Sequence, residues 1–233
     1  MYTRQILAQP ATLKTLKPSY LILLSGGLDS VVSMYAAKET GGPVKLALTF
    51  DYGQIAAKRE IEASSFFCRE LGVQHKVVGA LWLGELTKTA LVNKSNPMPS
   101  LKDLDNISEA HASAKAVWVP NRNGTFINIA AAYAESLEID FIVPGFNKEE
   151  AATFPDNSSS FIDACNEALS LSTLSKVKVT CFTEDLDKTG LVKKARSYDI
   201  DLNRVWSCYQ GGQTKCGKCE SCQRTNRAIE ASK

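Results

Sequence analysis

Five apolar residues, Tyr20 to Leu24, run straight into Ser25-Gly26-Gly27-Leu28-Asp29-Ser30, and a helix-forming stretch follows from Val31 to Lys38. So short and wholly apolar a run reads as a strand buried on both faces, which requires a layer above it and another below. The rest of the chain offers those layers. Gly41-Gly42 stops the first helix, Val44 to Phe50 reads as a second strand, and Gln54 to Leu71 as a long helix with Ile61, Cys68 and Leu71 on one face. Further strands are expected at Gln74 to Val78, Asp140 to Val143 and Val177 to Phe182, and helices at Asn123 to Leu137, Ser158 to Leu171 and Lys188 to Ser197. Within the helix after Asn123, Phe126, Ile129, Tyr133 and Leu137 recur at helical spacing and are expected to face the core. Alternating strands and helices give an α/β fold, a parallel sheet covered on both faces, with ligands bound beyond the strand C-termini.

Composition narrows the function classes. At 233 residues, 44% hydrophobic and 22% charged, the chain can bury a sizeable core and is neither disordered nor a small disulfide scaffold. No apolar run is long enough to span a membrane. A formal charge of +2 is too small for the broad positive field of sequence-independent nucleic-acid binding, so no stable nucleic-acid partner is expected. Residues 1 to 19 read as an N-terminal extension without the apolar block of a secretory signal, which points to the cytoplasm. Gly84 to Val117 carries Asn-Pro, Met-Pro and scattered Ser, as a long loop or insertion does, and such loops are often lids. His75 and His111 are isolated and read as structural positions.

The hexapeptide from Ser25 to Ser30 sits where the first backbone N–H groups of a helix lack helical partners and favour an anion. Gly26 and Gly27 let a phosphate approach the main chain, and the Ser25 and Ser30 hydroxyls add donors. Neither the Walker ending nor the spaced glycines of the dinucleotide fingerprint is present. The plain alternative is a tight turn with Asp29 or Ser30 capping the helix.

Seven cysteines occur, and four fall within fifteen residues as Cys208-x7-Cys216-x2-Cys219-x2-Cys222. Repeated Cys-x2-Cys spacing points to a tetrahedral four-thiolate metal site, structural because no ligand position stays open. Zinc is the leading metal and an iron–sulfur cluster the competing one, with four unliganded thiols the plain alternative. Lys215, Lys218, Arg224 and Arg227 around it read as solvated or substrate-facing.

Ser-Gly-Gly-Leu-Asp-Ser resembles the signature of the PP-loop ATP pyrophosphatases, whose members split ATP between its α and β phosphates to adenylate a substrate oxygen. Together with Ser207-Cys208-Tyr209, Cys216-Gly217-x-Cys219, Ser221-Cys222, Phe50-Asp51-Tyr52-Gly53-Gln54 and Val119-Pro120-Asn121-Arg122-Asn123, it is similar to the 7-cyano-7-deazaguanine synthases of the queuosine pathway. The resemblance implies a Rossmann-like sheet of the adenine nucleotide alpha hydrolase-like kind over residues 20–205 and a zinc-binding C-terminal segment over 206–233. It further implies ATP-dependent conversion of 7-carboxy-7-deazaguanine and ammonia to the nitrile by a homodimer. ATP would be held by Leu24, Ser25, Gly26, Gly27, Leu28, Asp29, Ser30 and Lys188. Among these Ser25, Asp29 and Ser30 would be catalytic, Asp29 being a candidate for placing magnesium. Arg122, Asn123 and Asp156 would bind the heterocycle. A surface Arg122, a capping Asn123 and a solvated Lys188 are the plain alternatives. The chain departs from the family at Phe154-Pro155-Asp156-Asn157-Ser158, where a Cys-Arg pair is usual, and at Glu150, where an Asp is usual. Three other readings stay open: a relative attaching a deazaguanine to another acceptor, a PP-loop enzyme acting on tRNA, and a non-catalytic zinc-bearing nucleotide sensor.

Overall fold

The computed structural model describes residues 17–233; of the extension expected over 1 to 19, residues 1–16 lie outside it. The chain runs β1 (Tyr20–Leu23), α1 (Leu28–Glu39), β2 (Val44–Asp51), α2 (Ala57–Leu71) and β3 (His75–Gly79). Three helices follow, α3 (Leu81–Glu85), α4 (Ile107–Val117) and α5 (Arg122–Ser136), before β4 (Phe141–Val143). The remainder is α6 (Lys148–Ala151), a 3₁₀ turn (Pro155–Asn157), α7 (Ser159–Ser172), β5 (Lys178–Val179), α8 (Lys188–Ser197) and α9 (Glu220–Ala231). All strands pair in parallel, in the order β3-β2-β1-β4-β5.

That order fixes the place of the site. Crossovers carry the chain outward from β1 through β2 to β3, and it then returns to the far side of β1 to form β4. Their C-terminal ends therefore flank a topological switch point, the crevice where α/β sheets bind ligands. The first strand is central, and its side chains alternate between two cores as a strand's period of two requires. Leu21 packs with α5 and α7 on one face, and Tyr20 and Ile22 with α1, α2 and α8 on the other. Leu21 and Ile22 are wholly buried, each contributing on the order of 2 kcal/mol.

Several expectations needed correction. The buried face of α5 is Gly124, Ile127, Ala130, Ala131 and Ala134. Small residues allow the helix to lie close on the sheet, so the stripe of large residues moves to its flank. Phe126, Ile129 and Tyr133 are half-buried there, and Leu137 is 44% exposed. On α2 the buried set is Ala63, Ser64, Phe67 and Cys68, while Ile61 and Leu71 lie at its margin. The fifth strand is two residues long rather than six. Its C-terminal continuation leaves the ladder after Thr180, whose N–H still donates to Ile142 O (2.9 Å). The stretch from 84 to 117 is more than a loop, because α4 occupies its last third. The Asn106 side chain caps α4 by accepting the Glu109 N–H (3.1 Å). This stretch packs on the C-terminal segment: Glu220 N–H donates to Pro99 O (3.0 Å), and the Gln223 amide bonds both Leu101 N–H (2.9 Å) and Leu101 O (2.8 Å). Among the described residues no helix is long and apolar enough to cross a membrane.

Candidate functional site

The Ser25–Ser30 loop leaves β1 and turns into α1 at the switch point. Gly26 has φ +74°, and a Cβ there would lie 2.7 Å from Ala63 Cβ and 2.8 Å from Glu60 O. Only glycine fits, so the loop backbone rests directly on α2. Gly27 is the N-cap of α1 and, having no side chain, makes no capping hydrogen bond. The two serines instead stiffen the loop internally. Ser25 N–H donates to Ser30 Oγ (3.2 Å), Ser30 Oγ to Gly27 O (3.1 Å), and Gly27 N–H to Ser25 Oγ (3.3 Å). The N-cap residue thus offers no side chain to the first turn of α1, the arrangement that favours an anion. Gly145, just past β4, comes as close from the other side; a Cβ on it would lie 2.5 Å from Ser30 N.

Lys188 is 5% exposed, contrary to the solvated alternative. Its ammonium bridges Asp29 Oδ2 (2.7 Å) and Glu150 Oε1 (2.9 Å). Asn147 Nδ2 donates to Asp29 Oδ1 (3.2 Å), and its Oδ1 accepts the Glu150 backbone N–H (3.0 Å), which ties the Asp29 carboxylate to the start of α6. Burial works against the Lys188 charge, but Asp29 and Glu150 together raise its pKa above the ordinary range. Burial and the neighbouring Glu150 carboxylate push the Asp29 carboxyl up despite the ammonium. Two carboxylates share one cation here, and the residual negative charge suits a divalent ion carried in with a polyphosphate.

Arg122 opens α5 with its guanidinium 5.8 Å from the Tyr52 ring centre and Nη1 donating to Tyr52 Oη (3.3 Å). It is half-buried and faces the cavity, not a surface residue. Asn123 is not the cap of α5, a position held by Asn121 in left-handed backbone (φ 50°). Its Nδ2 donates to Asp156 O (3.3 Å). Phe50 and Phe126 stack face to face, centroids 3.9 Å apart and planes 7° from parallel, and form an apolar wall. Leu24, Ser25, Gly27, Asp29, Ser30 and Lys188 line this cavity together with Arg122 and Asn123. Gly26 and Leu28 lie behind the lining. The Asp156 carboxylate accepts from Asn157 Nδ2 (3.2 Å) outside the cavity, whose wall Asn157 joins instead. The cavity also takes in Glu60 and Ser207, neither of which sequence spacing singles out as a ligand contact.

The four clustered cysteines have sulfur atoms all within 4.8 Å of one another. Backbone N–H groups point at these sulfurs: Gln210 and Cys216 donate to Cys208 Sγ (3.4 and 3.3 Å), and Lys218 and Cys219 to Cys216 Sγ (3.5 and 3.3 Å). Such bonds stabilise thiolates. A hydrogen bond from Cys219, against the cost of burial, holds the Cys208 thiol down to about 5. The donor set fits a tetrahedral thiolate-bound metal. The basic residues beside it are mostly committed to partners: Arg224 bridges Glu220 (2.9 Å) and Glu149 (3.4 Å), and Arg227 meets Asp105 (2.7 Å). This segment also touches the loop. Trp206 N–H donates to Gly26 O (2.7 Å), and Ser207 Oγ accepts Leu28 N–H (3.3 Å).

A family model described as queuosine biosynthesis protein QueC matches residues 19–233. The chain is 48% identical to the 7-cyano-7-deazaguanine synthase of Pelotomaculum thermopropionicum over 212 residues, covering 90% of this chain and 96% of that protein. It is also 48% identical to the synthase of the same name from Methanosarcina mazei over 215 residues, covering 90% and 93%. Among solved structures it is similar to the U34-tRNA thiolase NcsA of Methanococcus maripaludis, at 16% identity and a TM-score of 0.49, covering 94% of this chain and 70% of that one. With a match over nearly its whole described length and curated relatives close to half identical, the chain belongs to the QueC family of queuosine biosynthesis proteins.

Proposed function

We propose that the protein converts 7-carboxy-7-deazaguanine and ammonia into 7-cyano-7-deazaguanine with ATP, the activity its curated relatives are named for. The observation that carries this reading is the Ser25–Ser30 loop opening onto the same cavity as the Arg122 guanidinium and the Phe50–Phe126 wall. A polyphosphate at the loop and a flat heterocycle against the phenyl rings bring a carboxylate and an α-phosphorus together.

In this reading the α1 N-terminus and the Ser25 and Ser30 hydroxyls take the phosphates, and Lys188 faces the charge of the departing pyrophosphate. Magnesium neutralises phosphate charge when it accompanies ATP, and Asp29 and Glu150 are the residues to hold it. Arg122 supplies a planar fork for the substrate carboxylate, and Asn123 faces the heterocycle. Fixed donors at the loop stabilise charge as it develops on the leaving pyrophosphate, and so favour transfer of AMP to oxygen. The carboxylate is activated first, ammonia gives the amide, and the amide oxygen is activated in turn. One cavity serves both rounds, since each brings the same C–O group to the same phosphorus. Cys208, Cys216, Cys219 and Cys222 hold zinc in a structural role, because a four-thiolate shell keeps no open position.

The working form in this proposal is a homodimer. Beside the β3 edge, Leu81, Trp82 and Leu86 are each more than half exposed and offer an apolar surface to a second copy. Sedimentation velocity checks this point; a species of one chain, 25.4 kDa, at micromolar concentration would refute it.

The reaction itself is tested by incubating the protein with 7-carboxy-7-deazaguanine, ATP, magnesium and ammonium and identifying products by mass spectrometry. The nitrile is expected together with AMP and pyrophosphate; a deazaguanine joined to another acceptor, or no nitrile, contradicts the proposal.

A further inference from the structure

Ammonia enters this reaction with three N–H bonds, and the nitrile nitrogen has none. Every proton on nitrogen must leave within the cavity, so a group that accepts protons has to face it. This requirement rests on the function proposed above.

Few side chains in the cavity can meet it. Asp29 and Glu150 are both bound to the Lys188 ammonium at 2.7 and 2.9 Å. Burial keeps the Tyr52 and Tyr209 phenols above their ordinary range and hence protonated. Neither histidine lines the cavity: His75 is held between Thr49 Oγ1 (2.8 Å) and Ser65 Oγ (3.0 Å), and His111 is exposed on α4. Glu60 remains.

Glu60 stands in the first turn of α2, and its backbone carbonyl abuts Gly26 of the phosphate loop. Its Oε2 accepts one hydrogen bond, from Gln54 Nε2 (2.8 Å). The Gln54 amide is itself fixed, with Nε2 also donating to Phe50 O (2.9 Å) and Oε1 accepting Tyr52 N–H (2.9 Å). Among the described residues no hydrogen bond reaches Glu60 Oε1, and no lysine or arginine forms an ion pair with this carboxylate. The side chain is half-buried, so a proton taken from substrate can pass to solvent between steps.

We infer that Glu60 is the general base of the nitrogen steps, a catalytic residue that receives the protons shed when ammonia becomes amide and amide becomes nitrile. In the first, the ammonia lone pair forms the C–N bond, Glu60 takes a proton from that nitrogen, and the C–O bond to AMP breaks with its electron pair leaving on AMP. In the second, the amide oxygen displaces pyrophosphate from ATP. Glu60 removes the remaining N–H protons in turn, the C–O bond breaks again, and the freed nitrogen electrons complete the triple bond. The charged groups around Glu60 are Arg122 on α5 and Asp51 at the end of β2, with Gln54 as hydrogen-bond partner. Burial outweighs Gln54 and Arg122 and pushes the carboxyl up to about 7, where it can both accept and release a proton at neutral pH.

The test separates adenylation from proton removal. Carboxylate-dependent exchange of labelled pyrophosphate into ATP sheds no proton from nitrogen, whereas nitrile formation from ammonia, or from the preformed amide, does. Glu60→Gln is expected to keep exchange within about twofold of wild type while both nitrile reactions fall by about 100-fold or more. With the amide as substrate, the wild-type rate is expected to rise through pH about 7, and the variant to lack that limb. Equal loss of exchange and nitrile formation in the variant would show a binding or structural role and overturn the assignment, as would an unchanged nitrile rate. A wild-type chain that catalyses neither exchange nor nitrile formation would sink the underlying function, and the role of Glu60 with it.

Discussion

Lys188→Met is expected to lower stability by about 3 kcal/mol at pH 7, because it leaves the Asp29 and Glu150 carboxylates facing each other without their shared cation. This figure is at the low end of the range for broken buried pairs, since Glu150 is about one-third exposed and partly screened. The sign of the pH dependence follows from the same geometry. Without the ammonium, both carboxyls acquire folded-state pKa values above those of the unfolded chain. The folded variant then binds protons more tightly than the unfolded one, and its deficit shrinks as pH falls through those raised values. In wild type the direction is opposite for Glu150: burial opposes its charge, but the Lys188 ammonium and the Asn147 hydrogen bond hold its carboxyl below the usual range. Its contribution is present above the unfolded value and is lost in acid. Thermal melts at pH 5 and pH 8 check the point. Turnover is expected to drop by about 100-fold, on the scale of removing one fixed donor to a developing anion. Adding Glu150→Gln removes one of the two unpaired charges and the repulsion between them, so stability should return in part while activity does not.

The second large effect concerns the cysteines. Cys219→Ser removes one of four sulfurs that lie within 4.8 Å of each other, and metal content and melting temperature are expected to fall together. Structural zinc contributes about 10–16 kcal/mol in small metal-folded domains, so a loss on the order of 4 kcal/mol is a modest share. For a chain of this length it lowers Tm by about 8–16 °C. The loop should respond as well. Trp206 and Ser207, immediately before Cys208, bond Gly26 O and Leu28 N–H, so loosening the metal segment withdraws two braces from the phosphate loop. Nucleotide affinity is therefore expected to weaken in this variant, although Cys219 itself is not in the cavity wall. A fully stable, metal-free Cys219→Ser protein with unchanged nucleotide binding would refute a structural metal here.

What the sequence revealed and what it concealed have physical causes. The strand from Tyr20 and the loop after it were legible because a doubly buried strand must be wholly apolar and its Gly-Gly exit has few structural uses. The cysteine spacing was legible because four sulfurs can converge on one ion only if the chain turns sharply between them. The α5 face was misread because side-chain size, not hydrophobicity alone, decides which stripe meets a sheet: Ala130, Ala131 and Ala134 fit where Tyr133 would stand off. Helices α4 and α9 were hidden for another reason. Their buried side chains, Ala110, Ser113, Ala114 and Val117 in one and Glu220, Cys222 and Ala228 in the other, are few and mostly small or polar, so no row of large apolar residues marks either helix. Glu60 could not be found from sequence at all. Nothing local separates it from Glu62 or Glu70, and only the packing of α2 beneath Gly26 brings it to the cavity.

The path of the substrate's own oxygen atoms tests most directly whether AMP is handed to that oxygen. With both carboxylate oxygens of 7-carboxy-7-deazaguanine labelled with oxygen-18, each nitrile formed should be accompanied by two molecules of AMP carrying one label apiece. Label appearing in inorganic phosphate, or ADP as the main nucleotide product, would contradict adenylate chemistry at the Ser25–Ser30 loop.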